Sequence, residues 1–280
     1  MRLALRCCLL MAALLLPANL AAERIERTFK VSPSVLVDVQ SHSGIVSVKA
    51  WEHLLVQVVA VRRSRAVEIH LEQSANRVQV HSLLLQTHIP GGERTVDYEI
   101  WMPASAALYV HLDAGRVEVA GLQGDVKIET LAAAVSVHSL AGHTDVTTTS
   151  GNVIASNCSG RLGITSVSGE IGLLAATSRV LTARTASGDI RYEGELVSGG
   201  SYEFSNHQGA IALILPASAS FELTARSVQG EVINEFPIAP KPHGRVATPG
   251  YAHSLLGTVQ NGAAMVRAST FSGKITIQKR

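Results

Sequence analysis

Glu170 and Asp189 are the side chains in this sequence whose types and spacing come nearest to a reaction. Each follows a Ser-Gly pair and precedes an isoleucine, in Ser168-Gly169-Glu170-Ile171 and Ser187-Gly188-Asp189-Ile190. If such units stack as strands about 4.8 Å apart, the two carboxyls lie side by side. A retaining glycosidase holds its carboxyls roughly 5–5.5 Å apart, so polysaccharide hydrolysis is the chemistry this pair could perform. The position after each turn glycine reads Arg116, Ala134, Asn152, Glu170 and Asp189 along one edge of such a stack. The other edge reads Asp125, His143, Arg161 and Arg179. A catalytic acid usually needs burial, whereas a residue just after a turn glycine faces water. Glu170 also has Arg161 and Arg179 one unit away on either side. The pattern favours exposed, ionised carboxylates, no catalytic residue and no enzyme.

Cys158 could be imagined as a nucleophile, but no histidine is fixed beside it by spacing, and its column suits a small buried hydrophobe. Eleven histidines are scattered, with His138/His143 and His81/His88 the closest pairs. Neither separation matches a zinc site. Nonapeptide β-rolls bind calcium through Gly-Gly-x-Gly-x-Asp repeats, yet aspartate directly follows a beat glycine only at Asp125 and Asp189. The oxygen ligands calcium requires are missing, so no cofactor and no metal is expected.

Residues like these need a regular frame to position them, and the glycines supply it. Gly115, Gly124, Gly142, Gly151, Gly160, Gly169 and Gly188 recur on a nearly strict nine-residue beat. Ala133 and Ser178 occupy the two empty beats, and only the last step stretches to ten. A fixed short period marks a stacked repeat. Two and four residues after each beat come apolar pairs, from Val117/Val119 and Val126/Ile128 to Ile171/Leu173 and Val180/Thr182. Residues two apart on a strand share a face, so these pairs form one inner wall. Two residues before each beat, Leu122, Leu131, Leu140, Thr149, Cys158, Val167 and Ala176 form a second mostly apolar column, also expected inside. Nine residues make one turn and one strand, so two units, about 18 residues, close a rung. The predicted fold is all-β: an elongated β-solenoid with about four rungs over residues 113–192. Gly209, Gly230 and Gly273 mark later, looser units within a repeat region spanning 113–280. Residues 23–112 read as irregular β-strands that lack the strict beat, and a Pro/Gly-rich loop is expected at 237–250.

The first 22 residues read as a signal peptide: Arg2 and Arg6, an apolar run from Cys7 to Leu16, then Pro17 and small residues at Ala21 and Ala22. That run is shorter than the about 20 residues a membrane span needs, and no later segment looks transmembrane. Arg6 directly before Cys7 and Cys8 argues against lipidation. Losing Cys7 and Cys8 with the leader leaves Cys158 without a partner for an intramolecular disulfide. A formal net charge of +2 with 16% charged residues is no nucleic-acid footprint, and aromatics at 4% are few for stacking sugars.

The run Tyr98-Glu99-Ile100-Trp101-Met102-Pro103-Ala104, then Gly115-Arg116-Val117-Glu118-Val119 and the ordered Ser-Gly-x-Ile units, resembles the bacterial adhesin-like β-strand-repeat domain of unknown function. So does the closing pattern of Leu213-Ile214-Leu215-Pro216, Phe221-Glu222-Leu223 and Thr270-Phe271-Ser272-Gly273-Lys274. The resemblance covers roughly residues 30 to 278. It implies an exported, non-enzymatic protein of the periplasm or cell surface, a scaffold that contacts an envelope protein or glycan. The alternative it suggests is an accessory or sensing part of an envelope-stress system. A polysaccharide-active β-helix enzyme ranks below both.

Overall fold

Valine, isoleucine and threonine alternate with polar residues through most of the chain, and such β-branched side chains pack well on pleated, half-buried strands. In the computed structural model, which describes residues 22–86, 91–239 and 253–280, the alternation becomes 21 strands and a short 3-10 turn at Gly91–Arg94. The leader up to Ala21, His88, and the expected loop beyond Ala239 lie outside the described residues.

The first strands are β1 (Glu23–Lys30), β2 (Leu36–Trp51), β3 (Leu55–Arg62), β4 (Val67–Ser74), β5 (Arg77–Leu84), β6 (Val96–Pro103) and β7 (Ala107–Ala120). Next come β8 (Val126–His138), β9 (His143–Ser150), β10 (Val153–Ser156), β11 (Arg161–Ser168), β12 (Ile171–Leu174), β13 (Val180–Ser187) and β14 (Ile190–Glu193). The last are β15 (Ser201–Gln208), β16 (Ile211–Leu215), β17 (Phe221–Ser227), β18 (Val232–Asn234), β19 (Ser254–Val259), β20 (Ala264–Ser272) and β21 (Ile275–Lys279).

These strands stack as the rungs of a β-solenoid. In the middle of the stack each rung crosses one wall with an eight-residue strand, turns at a glycine, and crosses the second wall with a four-residue strand. β2, β7 and β8 run through both walls unbroken. Along the stack the rungs are β5/β6, β2, β7, β8, β9/β10, β11/β12, β13/β14, β15/β16, β20/β21 and β17/β18, all in parallel pairing. Antiparallel strands close the ends: β4 on β5, β3 on β6, β1 on β3, and β19 on β17. An exposed edge strand invites further pairing, and here Arg27 Nη1 donates to Leu71 O (3.0 Å) and Gln73 Nε2 to Lys30 O (2.8 Å) across that end.

The rung repeat is the 18 residues that the beat implies: Val126 pairs with Thr144, Arg161 with His143, and Ile171 with Val153. Val126, Ile128, Ile171 and Leu173 are buried, and the core runs unbroken through the body. β7 and β8 belong to the same stack as β2, so the stacking continues across residue 112.

Rung order is not chain order. The C-terminal pair β20/β21 is threaded between β15/β16 and β17/β18, and β2 lies between β5/β6 and β7. The glycine corner records the same order. A β-carbon on Gly230 would overlap the Gly273 carbonyl, and one on Gly273 would overlap that of Gly209. Gly124, Gly142 and Gly160 stack separately at the opposite corner.

Two expectations need correction. Val180 is exposed and Thr182 half-buried; Leu181 and Ala183 point inside instead. The cause is one extra residue in the corner before β13, which shifts its pairing so that Arg161 meets Val180. The stretched step of the beat therefore precedes β13 rather than following it.

The column two residues before each beat is inside at only one corner. Leu122, Leu140, Cys158 and Ala176 are buried, but Leu131, Thr149 and Val167 are exposed. At the glycine corner the inward residue lies one position earlier, where Thr130, Thr148, Ser166, Thr185, Asn206 and Thr270 are buried. The turn frees backbone carbonyls there, and short polar side chains satisfy several of them. Thr148 Oγ1 donates to Ser150 O (3.2 Å) and Asn206 Nδ2 to Gly188 O (3.2 Å).

Candidate functional site

The carboxylates singled out by spacing do fall on neighbouring rungs. Glu170 and Asp189 occupy matching positions immediately before the paired residues Ile171 and Ile190, and both are exposed. Their column caps backbone: Asn152 Oδ1 accepts from Glu170 N (3.1 Å), and Asp189 Oδ1 accepts from Ala210 N (2.7 Å). Asp125 does the same at the opposite corner for His143 N (3.3 Å). The flanking arginines are not where the beat places them. The eight-residue β11 separates Arg161 from the Glu170 corner, and Arg179 falls one residue short of the Arg161 column.

Cys158 is fully buried, its Sγ 3.4 Å from Ser156 O, and burial pushes its thiol pKa up. An activated nucleophile needs the opposite shift. Ser159 N donates to Leu140 O (2.7 Å) and Thr177 N to Cys158 O (2.8 Å), which sets Cys158 between Leu140 and Ala176 in the corner stack. The native thiol should therefore react slowly with a thiol reagent and quickly once the protein is unfolded. Cys158→Val should be close to neutral, and Cys158→Ser should cost about 1–3 kcal/mol through its buried hydroxyl. Rapid labelling of the native protein would contradict this placement.

His138 Nδ1 contacts Ser156 Oγ (2.9 Å). Among the described residues no cluster of three His, Cys, Asp or Glu side chains could hold a metal ion.

The densest polar constellation lies elsewhere, on the outside of the long-strand wall near its N-terminal end. Asp38 sits between inward-facing Val37 and Val39, yet its neighbours bury it completely. Arg77 Nη2 lies 2.6 Å from Asp38 Oδ2, with His81 Nε2 at 3.4 Å, and Gln40 Nε2 donates to Oδ1 at 3.3 Å. Across the next two rungs, the Tyr109 hydroxyl on β7 donates to Glu129 Oε2 on β8 (2.7 Å), and Lys127 Nζ lies 2.8 Å from Glu129 Oε1 and 5.7 Å over the Tyr109 ring. The bond to Glu129, with some burial, pushes the Tyr109 phenol up to about 12. Lys127 and Tyr109 together hold the Glu129 carboxyl below its usual range. A cavity of about 320 Å³ opens beside them, with Leu36 and Ala107 in its lining and Tyr109, Asp125, Lys127 and Asp145 contributing polar groups.

The sequence pattern missed this face. The signal available was a single acidic residue, Asp38, inside the otherwise apolar alternation of Val35, Val37 and Val39. These groups are ion pairs and hydrogen-bonded acceptors. The arrangement can recognise a partner by charge and shape.

No curated protein matches the chain. A solved structure of a candidate cell adhesion protein from Clostridium sporogenes aligns with 92% of this chain and 100% of its own, at 11% identity. Its TM-score of 0.30 is too low to equate the two folds. No helix among the described residues is long and apolar enough to cross a membrane. The family model described as Toastrack DUF4097 matches residues 34–278, nearly the whole length, and the chain belongs to that family.

Proposed function

We propose that this chain is an exported, non-enzymatic scaffold of the cell envelope that contacts an envelope protein or glycan through the outer faces of its solenoid. The observation that carries the reading is the unbroken stack of rungs from β5/β6 to β17/β18. Stacked repeats of this kind offer extended surfaces for partner contact. Both acids suggested by spacing are exposed and Asp189 caps the Ala210 amide, so they suit a surface role better than a catalytic one. The leader-like first 22 residues favour export, to the periplasm or the cell surface.

Polysaccharide turnover and glycan-array binding separate this reading from hydrolysis. Purified protein should depolymerise no envelope polysaccharide, while retaining selective binding to an envelope component. Glu170→Gln and Asp189→Asn should leave stability within about 0.5 kcal/mol, as expected for exposed sites, and leave binding unchanged. Depolymerisation by the unaltered protein, lost in either variant, would establish the enzyme instead.

A further inference from the structure

The outward residues of the long-strand wall are sorted by charge along its length. From β5 to β9 its exposed or half-exposed carboxylates are Asp113, Asp125, Glu129 and Asp145, against Lys127, while the buried Asp38 is neutralised by Arg77. Glu68 and Glu72 on the edge strand β4 add to the acidic excess. From β11 to β17 the sign reverses, with Arg161, Arg184, Arg226 and Arg267 against Glu203 and Glu222. On the middle strands β9, β11 and β13, which also carry Asp145, Arg161 and Arg184, the outward residues Thr147, Thr165, Val167, Val180, Thr182 and Ala186 are small and uncharged. Val167 is 54% exposed and Leu131, beside this centre, 52%.

The other wall is not sorted in this way. Its charges close locally in the pairs Arg24–Glu26, Lys49–Glu99, Arg116–Glu118 and Arg191–Glu193; the long-strand wall closes Arg77–Asp38, Lys127–Glu129 and Arg184–Glu203 likewise, but leaves Asp125 and Asp145 at one end and Arg161, Arg226 and Arg267 at the other outside those pairs.

A surface acidic at one end and basic at the other is complementary to itself after a half-turn. That is the requirement for a two-fold, isologous interface. We infer that the long-strand wall binds the same wall of a second copy of this chain, antiparallel, with the acidic end of each protomer over the basic end of its partner. Eight-residue strands at about 3.3 Å per residue, across twelve positions about 4.8 Å apart, give a face of roughly 1,500 Å². A stable interface needs roughly 800 Å² per partner, so partial overlap around the middle of the wall suffices. This inference goes beyond the scaffold reading and does not depend on export or on the envelope partner.

The test is the mass of the purified protein in solution, measured by sedimentation at low salt and at about 0.5 M salt, where charge attraction is screened. A dimer at low salt that weakens at high salt is expected. Two charge-reversed proteins decide the arrangement: Asp113→Lys with Asp145→Lys at the acidic end, and Arg226→Glu with Arg267→Glu at the basic end. Each should raise the dimer Kd at least about tenfold, because like charges then face each other. Mixing the two should restore a one-to-one heterodimer with wild-type affinity, which a folding defect in either could not produce. Unchanged thermal unfolding of each protein confirms that it is intact. A monomer at low salt, a dimer indifferent to both reversals, or a mixture that stays monomeric would each overturn the inference. So would a protein that stays monomeric while its acidic end binds polylysine, since the face would then serve a cationic partner.

Discussion

Gly188→Ala is expected to destabilise the protein by about 3–4 kcal/mol, whereas Gly172→Ala, one rung back and on the outer face, should stay within about 0.5 kcal/mol. Gly188 has φ +145°, a conformation that side chains rarely adopt, and a β-carbon there would overlap the Gly169 carbonyl oxygen. Holding a residue in such a region costs about 1–3 kcal/mol. The overlap adds to that, because it is with backbone and the two rungs must separate to relieve it. Separation strains the hydrogen bonds Gly169 N to Ser187 O (3.0 Å) and Ile171 N to Asp189 O (2.9 Å), each worth about 1 kcal/mol. At Gly172 a β-carbon meets Ile154 Cγ1 at 3.8 Å and Val153 O at 3.9 Å, both ordinary contacts. Urea unfolding of both variants reads the difference. Equal midpoints would mean that the glycine corner is not as tightly stacked as described.

Phe204→Ala should cost about 3–5 kcal/mol, the range for truncating a buried aromatic. Phe204 is 1% exposed and packs 5.5 Å from the Tyr192 ring, which in turn lies 5.9 Å from Tyr202. These three rings fill the wider interior where the repeat between paired strands lengthens, Val180 pairing with Ser201 and Ile190 with Ile211. The Tyr192 hydroxyl donates to Glu195 O at 2.7 Å, and the Tyr202 hydroxyl accepts from Val197 N at 2.7 Å. Both bonds fasten the connection between the two rungs, so a cavity at Phe204 loosens more than one side chain. Phe271, 40% exposed against His207, is the control, and Phe271→Ala should cost no more than about 1 kcal/mol. A loss at Phe204 as small as that at Phe271 would contradict the packing of this core.

The repeat and its inner face were legible because spacing alone carries them. A beat of turn glycines fixes the rung length, and alternation fixes which residues point inward, as at Val126, Ile128, Ile171 and Leu173. The misassigned pair Val180 and Thr182 shows where spacing fails. An extra residue in a corner of small polar side chains changes the phase of the next strand without leaving a signal. The outward turn of Leu131 and Val167 has the same origin, since the glycine corner resets the alternation and only the backbone geometry says by how much.

The threading of β20/β21 between earlier rungs was not legible at all. It depends on pairings such as Ser201 with Met265 and Ile211 with Ile275, far apart in the chain, which no local pattern encodes. For the same reason the acidic and basic ends of the long-strand wall are visible only after stacking. Asp38 and Asp145 lie far apart in sequence and share a surface only through β2, β7, β8 and β9.

Export is the point on which the functional reading turns, and N-terminal sequencing of the protein recovered from fractionated native cells measures it directly. The envelope or secreted fraction should yield a chain that begins near Glu23. An intact Met1 on protein recovered from the cytosol would contradict it.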